Sequence, residues 1–466
     1  MILYECMHKI YFYNTLSRKK EEFKPIKKDE AGIYSCGPTV YWNQHIGNMY
    51  AFLVWDFLVR MLRYNDYKVK WVMNITDVGH NTTDGDGGED KMEKGAKREG
   101  LSVWEISKKY EKQFLDSLDL LNVVRPDVLC RATEHIKEQI ELAKKIEDNG
   151  FAYITKTGLV FDTSKYKDYA KFANLKLEEM EAGARVEVDV EKKQVWDFLL
   201  WVTNQPNHIM KWGSPWGEGF PGWHLECTAM STKYLGEVFD IHTGGIEHIG
   251  VHHTNEIAQG YGAFGRQTAN YWLHNAWLTL KEGKMSKSLG NVYTVQDLVN
   301  KGYGVLVFRY LVFSRHYRKG LVFSDESLKS AELALTRLRK MLSSWKDGGE
   351  INLEYKNKFI EKISNDLATS EALALVWKLV KDSKIRDEDK KATIVDFDKV
   401  LGLDLNKTGD ISIPKEVEEL ARARQEARAG KNWQESDRLR VKIEGKGYLI
   451  EDLANDTYRI VKKIGM

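Results

Sequence analysis

The stretch that decides the fold reads Ala31-Gly32-Ile33-Tyr34-Ser35-Cys36-Gly37-Pro38-Thr39, then His45-Ile46-Gly47-Asn48 and an apolar run from 46 to 62. Ile33 to Cys36 reads as a short strand, Gly37-Pro38-Thr39 as a turn, and the apolar run as a buried helix. A second strand is expected over 69–75, within reach of a crossover. Strand, helix, strand opens a parallel α/β sheet. An acidic, glycine-broken loop over 84–90 interrupts that grammar. Two helices follow, one carrying Trp104, Tyr110, Phe114, Leu118 and Leu121, the other Ile136, Ile140 and Ala143, which together predict an insertion. The α/β pattern returns with a strand over 238–242, a Gly244-Gly245 turn, a helix near 252–263 and a strand through 271–280. From Asp325 the chain becomes amphipathic helix, with Leu328, Leu335, Leu338 and Leu342 on one face. Pro414 opens a compact terminal unit.

At 466 residues the chain predicts about three domains. Seventy Lys plus Arg against sixty-eight Asp plus Glu leave +2, so any basic face is local. Residues 421–446 supply one, with eight basic and four acidic side chains. The four cysteines, at 6, 36, 130 and 227, form no C-x-x-C pair, which excludes a disulfide scaffold and a zinc ribbon. No apolar run is long enough for export or a membrane span, so a cytoplasmic protein without a membrane partner is expected. The loop over 84–90 fails the calcium template, because Glu89 stands at the required glycine and Gly95 at the terminal glutamate.

Two motifs carry phosphate chemistry. His45-Ile46-Gly47-Asn48 sits at a helix start, where unpaired N–H groups and glycine admit a polyphosphate. Lys284-Met285-Ser286-Lys287-Ser288, between Gly283 and Gly290, places two lysines and two hydroxyls on a loop suited to the charge of a departing pyrophosphate. His252 and Glu256, four apart on a helix, share one face and can grip one ion, while Cys36 and Cys227 are thiols that spacing alone does not bring to them.

His-Ile-Gly-Asn and Lys-Met-Ser-Lys-Ser on two halves of a parallel sheet resemble the signature pair of class I aminoacyl-tRNA synthetases. With Cys36-Gly37-Pro38-Thr39-Val40-Tyr41, Gly222-Trp223-His224-Leu225-Glu226-Cys227 and His252-His253-Thr254-Asn255-Glu256, the chain resembles the cysteinyl-tRNA synthetases over essentially its whole length. The resemblance implies a Rossmann-like catalytic domain in two halves (1–80 and 216–295) around a connective insertion (81–215). A junction ending the signature-loop region (296–324), a helical bundle (325–410) and a small anticodon-binding domain (411–466) follow. It also implies ATP-dependent ligation of L-cysteine to tRNA(Cys) through a cysteinyl adenylate.

By the same resemblance the catalytic residues are His45, Asn48, Lys284 and Lys287, and ATP meets Thr39, His45, Gly47, Asn48, Gly244, Gly245, Glu247 and Lys287. Cysteine meets Gly37, Thr39, Thr76, Trp223 and His224. One zinc ion per chain is held by Cys36, Cys227, His252 and Glu256, Mg2+ accompanies ATP, and the anticodon is read by Arg428, Trp433, Asp437 and Asp452. A monomer is expected. Three positions depart from the family: Glu247 where Asp is more common, and Tyr50 and Phe220 where arginine is usual, which removes two charges expected near ATP and tRNA. Two other readings compete. A related cysteine ligase that uses an amino sugar lacks the unit at 414–466, and an RNA-binding protein with a decayed nucleotide fold would not retain both phosphate motifs and all four ligand types.

Overall fold

The structure, a computed structural model, describes residues 8–80, 90–176, 191–281, 292–406, 415–446, 448–453 and 457–462. Its centre is a five-stranded sheet, every neighbouring pair parallel. In chain order the strands are β1 (Glu30–Ser35), β2 (Lys68–Ile75), β3 (Val128–Arg131), β4 (Phe239–Gly245) and β5 (Ala269–Asn275). Across the sheet they run 3-2-1-4-5. Chain order therefore reverses between β1 and β4, where Ile33 faces Ile241 and Ser35 faces Thr243. In such sheets ligands bind in the crevice beyond the carboxyl ends of the strands that flank the reversal. Strand β4 is buried along its whole length even though Phe239 and Ile241 are its only large apolar side chains, as a central strand of a parallel sheet is.

Helix α1 (Ile46–Tyr64) connects β1 to β2 and buries thirteen residues. Its apolar side chains surround the helix because it lies under both the sheet and the later helices. Helix α2 (Val103–Leu120) starts in a Ser102–Glu105 capping box and buries Ile106, Tyr110, Phe114 and Leu118. The segment read as insertion thus also contributes β3, the edge strand paired with β2 through Val72–Val128 and Ile75–Arg131. It also supplies three strands, Ala152–Thr155, Gly158–Phe161 and Phe198–Thr203, of a four-stranded antiparallel sheet whose fourth, Gly219–Pro221, lies just past its expected end at 215. The return to the main sheet passes through α3 (Trp223–Leu235), and α4 (Thr254–Phe264) joins β4 to β5.

Downstream, Asp325–Ser344, Leu353–Ile363, Thr369–Lys381 and Asp387–Leu401 are helices, and Leu328, Leu335, Leu338 and Leu342 are buried as their spacing predicts. The terminal unit consists of helices Lys415–Ala429 and Trp433–Gly445 and the antiparallel pair Tyr448–Leu453 and Thr457–Lys462, around Val417, Ala421, Ile443, Tyr448 and Ile450. Among the described residues no helix is long and apolar enough to cross a membrane.

One buried arginine ties the sheet to the bundle. Arg309, fully buried in the apolar helix Val305–Phe313, donates to the carbonyls of Leu401 (2.6 Å), Leu121 (3.1 Å) and Asn122 (3.0 Å) and pairs with the buried Asp56 of α1. Asp56 is also held by Arg60 at 2.9 Å. Removing one partner of a buried pair leaves an uncompensated charge. Arg309→Met is therefore expected to lower stability by roughly 3 kcal/mol, the lower end for such a loss because Arg60 remains. A shift of the urea midpoint checks this, and an unchanged midpoint would show the pair to be dispensable.

Candidate active site

A cleft of about 350 Å³ opens at the point where strand order reverses, and its wall combines the residues that follow β1, begin α1 and end β4. Cys36, Gly37 and Thr39 enter it from the first turn, His45, Gly47 and Asn48 from the helix start, and Gly244, Gly245 and Glu247 from β4. Thr76, Trp223, Cys227 and His252 complete the predicted set on that wall. His224 and Glu256 lie buried behind it.

The local geometry explains several residue types. A Cβ on Gly37 would stand 1.7 Å from the Asn74 carbonyl oxygen, so the turn after β1 packs backbone directly on β2. The Gly37 N–H donates to Asn74 Oδ1 at 2.7 Å. Gly244 is closed in by the rings of His248 and His253, each 2.7 Å from where its Cβ would lie. At the helix start, His45 caps α1: its Nδ1 accepts the Asn48 N–H at 3.2 Å, and Asn48 Nδ2 donates to Gln44 at 2.9 Å. A neutral ring that accepts at Nδ1 carries its proton on Nε2, which makes it a donor toward an anion. His45 also bridges to Thr294, and Ile46 N–H donates to the Tyr293 carbonyl at 2.8 Å. Strand Leu278–Leu280 precedes the same loop, and Leu278 lines the cleft. Lys284 and Lys287 lie between these anchors but outside the described residues, as does Cys6.

At the inner end of the cleft, ligand atoms of Cys36, Cys227, His252 and Glu256 lie within 4.8 Å of one another. Burial raises the Glu256 carboxyl, but His242 and His252 hold it down at about 2. Burial likewise opposes charge on His252, yet Cys227 and Glu256 raise it to about 10. Burial pushes Cys227 up, while contact with Cys36 and His252 brings it to about 7; Cys36, desolvated and beside Cys227, is pushed well up. Anionic sulfur and oxygen therefore converge on a shared positive charge. Glu256 Oε1 is buried 3.1 Å from His252 Nε2 without hydrogen-bond geometry, while Oε2 accepts from His242 at 2.9 Å. Two thiols, an imidazole and a carboxylate with one orphaned oxygen fit a tetrahedral zinc ion. Cys36 and Glu256 also lie within 4.8 Å of His242 and His253, but that set lacks the second thiol.

The comparisons decide the family. The catalytic-domain family described as tRNA synthetases class I (C) matches residues 22–333. The chain is 43% identical to a cysteine–tRNA ligase of Treponema denticola over 96% of this chain and 98% of the relative. It is 45% identical to cysteine–tRNA ligase 1 of Burkholderia lata, covering 94% of each. The chain belongs to the cysteine–tRNA ligase family of class I aminoacyl-tRNA synthetases. In fold it is similar to the methionyl-tRNA synthetase of Mycobacterium tuberculosis solved with methionyl-adenylate, with TM-score 0.56 and 16% identity over 80% of this chain and 90% of that one.

Within this synthetase fold, several site residues escaped the sequence reading. Glu226, fully buried on α3, accepts from Thr76 Oγ1 at 3.1 Å and meets His80 Nε2 at 2.5 Å. Asn74 Nδ2 also donates to Thr76, at 3.1 Å. A carboxylate inside the apolar helix of the Trp223–Cys227 motif was the available signal. Trp277 lines the cleft, and its indole N–H donates to Glu247 Oε2 at 2.9 Å. Trp223 packs on the His252 ring at 4.3 Å, and His224 meets His252 through their Nδ1 atoms at 2.9 Å.

The departures Tyr50 and Phe220 do not line the cleft. Tyr50 is buried and donates to the Tyr317 carbonyl at 3.0 Å, while Phe220 stacks on His208 at 3.8 Å. An arginine in either place would need a new conformation or a buried charge, so these residues serve packing. In the terminal unit Trp433 is 56% exposed with the Arg428 guanidinium 5.6 Å from its ring, and Asp437 is exposed. Asp452 is held bidentately by Arg424 (2.7 and 3.0 Å) and by Arg428 at 3.1 Å.

Proposed function

We propose that the chain activates L-cysteine with ATP and transfers it to tRNA(Cys), with AMP and diphosphate as products. The observation that carries this reading is the convergence, in one cleft, of the helix-start phosphate motif and the Cys36–Cys227–His252–Glu256 cluster.

The cysteine carboxylate attacks the α-phosphorus of Mg2+-bound ATP in line, and pyrophosphate leaves. His45, donating from Nε2, and Asn48 stabilise phosphate charge at the N-terminus of α1, with Lys287 and Lys284 acting on the leaving group. Thr39 and the Gly47 backbone border the phosphates. Gly244 and Gly245 keep the β4 end low beneath the adenosine, and Glu247, fixed by Trp277, accepts from ribose hydroxyls. Gly37 and Thr76, braced by Asn74 and Glu226, hold the amino-acid backbone, and Trp223 and His224 close the side-chain end. Zinc, when bound by the four cluster residues, supplies a soft Lewis acid that prefers sulfur to oxygen. The 2′-hydroxyl of the terminal tRNA ribose then loses its proton as it takes the acyl group, and AMP departs.

In the terminal unit, an exposed tryptophan backed by arginine suits stacking on an anticodon base, and Asp437 accepts from base amino groups. The paired Asp452 acts by fixing Arg428. Stacking is worth ~1–3 kcal/mol per base, so Trp433→Ala is expected to lower kcat/KM for tRNA charging roughly 10- to 100-fold while leaving ATP–pyrophosphate exchange unchanged. Equal loss in both assays would contradict anticodon reading. The reaction itself is tested by exchange with each amino acid in turn, expected with cysteine and not with serine; equal exchange with both would overturn the assignment.

A further inference from the structure

A second cluster of ligating side chains, sharing no residue with the first, lies where the chain enters the helix Lys91–Glu99. Asp90, its N-cap, gives Oδ1 to the Glu93 N–H at 2.8 Å. The other oxygen, Oδ2, is buried with no hydrogen-bond partner among the described residues, although His208 Nε2 lies 3.2 Å away. His208 Nε2 is also 3.3 Å from the Gly79 carbonyl, so one ring nitrogen faces two oxygens, while Nδ1 is buried without a partner. Asp90 and His208 side chains are each 6% exposed. Glu93 gives Oε1 to the Ile209 N–H at 2.8 Å, and ligand atoms of Asp90, Glu93 and His208 lie within 4.8 Å of one another.

We propose that Asp90, Glu93 and His208 form a second divalent-metal site that clips this helix to the chain segments at Gly79 and His208. Two carboxylates and one imidazole balance a dication, and the ion answers the orphaned Asp90 oxygen as a ring proton on Nε2 cannot, since Gly79 competes for it. The nitrogen ligand and small oxygen count suit a borderline ion such as Zn2+ or Co2+ over Ca2+. The surroundings are built to hold the ligands. Phe220 stacks on the His208 ring with planes 13° apart, and a Cβ on Gly79 would stand 2.2 Å from Asp90 Oδ2. The next residue, Lys91, donates its N–H to the His80 carbonyl at 2.9 Å and sets its ammonium 5.5 Å from the Trp223 ring. The ion thus steadies the wall of the cleft beside Trp223.

The test is a cobalt(II) titration of the full chain after chelation, followed by absorption spectroscopy. Two equivalents are expected: one with sulfur-to-cobalt charge transfer from the thiol cluster, and one with ligand-field bands alone. His208→Gln removes the second, and Glu93→Gln, at a half-buried position that spares the fold, raises its dissociation constant at least ~10-fold. Cys227→Ser weakens only the charge-transfer signal, because Cys36 is then the one thiol left in that cluster. A single equivalent in the parent, or a second that persists unchanged in Glu93→Gln, overturns the proposal. In the parent, a ligand-field equivalent without any charge-transfer band would instead count against the thiol cluster.

Discussion

Lys287→Ala is expected to lower cysteine-dependent ATP–pyrophosphate exchange by roughly 10²–10³-fold, the cost of removing one preorganised donor at a developing anion. As the α-phosphorus changes partners, negative charge accumulates on the departing pyrophosphate. The described residues on either side of the segment that carries Lys287 reach this site: Leu278 lines the cleft and Thr294 bridges to His45. Loss of the lysine acts on the transition state more than on ground-state binding, so kcat falls further than the affinity for cysteine. Zinc content should not change, since none of the cluster residues belongs to this loop. Exchange within a few-fold of the parent would remove Lys287 from the mechanism.

Cys227→Ser is expected to have two linked effects. Zinc retention after dialysis against a chelator falls by more than roughly 100-fold in affinity, the upper end for losses of merely supporting residues. Serine is the smallest possible change in shape, but a free thiol ionises near ~8.5 and a serine hydroxyl far higher, so the substitution removes an anionic soft ligand at neutral pH. Discrimination between cysteine and serine in exchange then falls toward the ~10–200-fold that shape alone supplies. Metal analysis and exchange with both amino acids read the two effects separately. An unchanged cysteine to serine ratio would show that the cluster does not select the substrate.

The central strands and helices were legible because each is a long apolar run with clear punctuation: 33–36, 46–62 and 69–75 fall within β1 and its turn, α1, and β2. Strand β3 was not, because Val128–Arg131 is four residues long, follows a charged Arg125-Pro126-Asp127 stretch and finds its partner only in three dimensions. The insertion sheet escaped because its strands are short and scattered: Ala152–Thr155 and Gly158–Phe161 have four residues each, and their partners Phe198–Thr203 and Gly219–Pro221 lie far along the chain. In the site, His45 and Asn48 declared themselves by position at a helix start. Cys36 and Cys227 did not, since a strand end and a helix meet there only after the sheet closes, and resemblance alone joined them. Glu226 and Arg309 were visible as lone charges in apolar helices, a pattern that signals a buried partner. Tyr50 and Phe220, read as missing charges near the substrates, turned out to be packing residues.

The proposed function requires one chain both to activate cysteine and to deliver it to tRNA. The direct measurement uses a single zinc-loaded preparation with ATP, labelled cysteine and tRNA(Cys), following exchange and acid-precipitable charging together. Expected are robust exchange, charging that approaches one cysteine per tRNA, and loss of charging alone when the terminal ribose of the tRNA has been oxidised with periodate. Exchange without any charging of intact tRNA would contradict it and point to a cysteine ligase with a different acceptor.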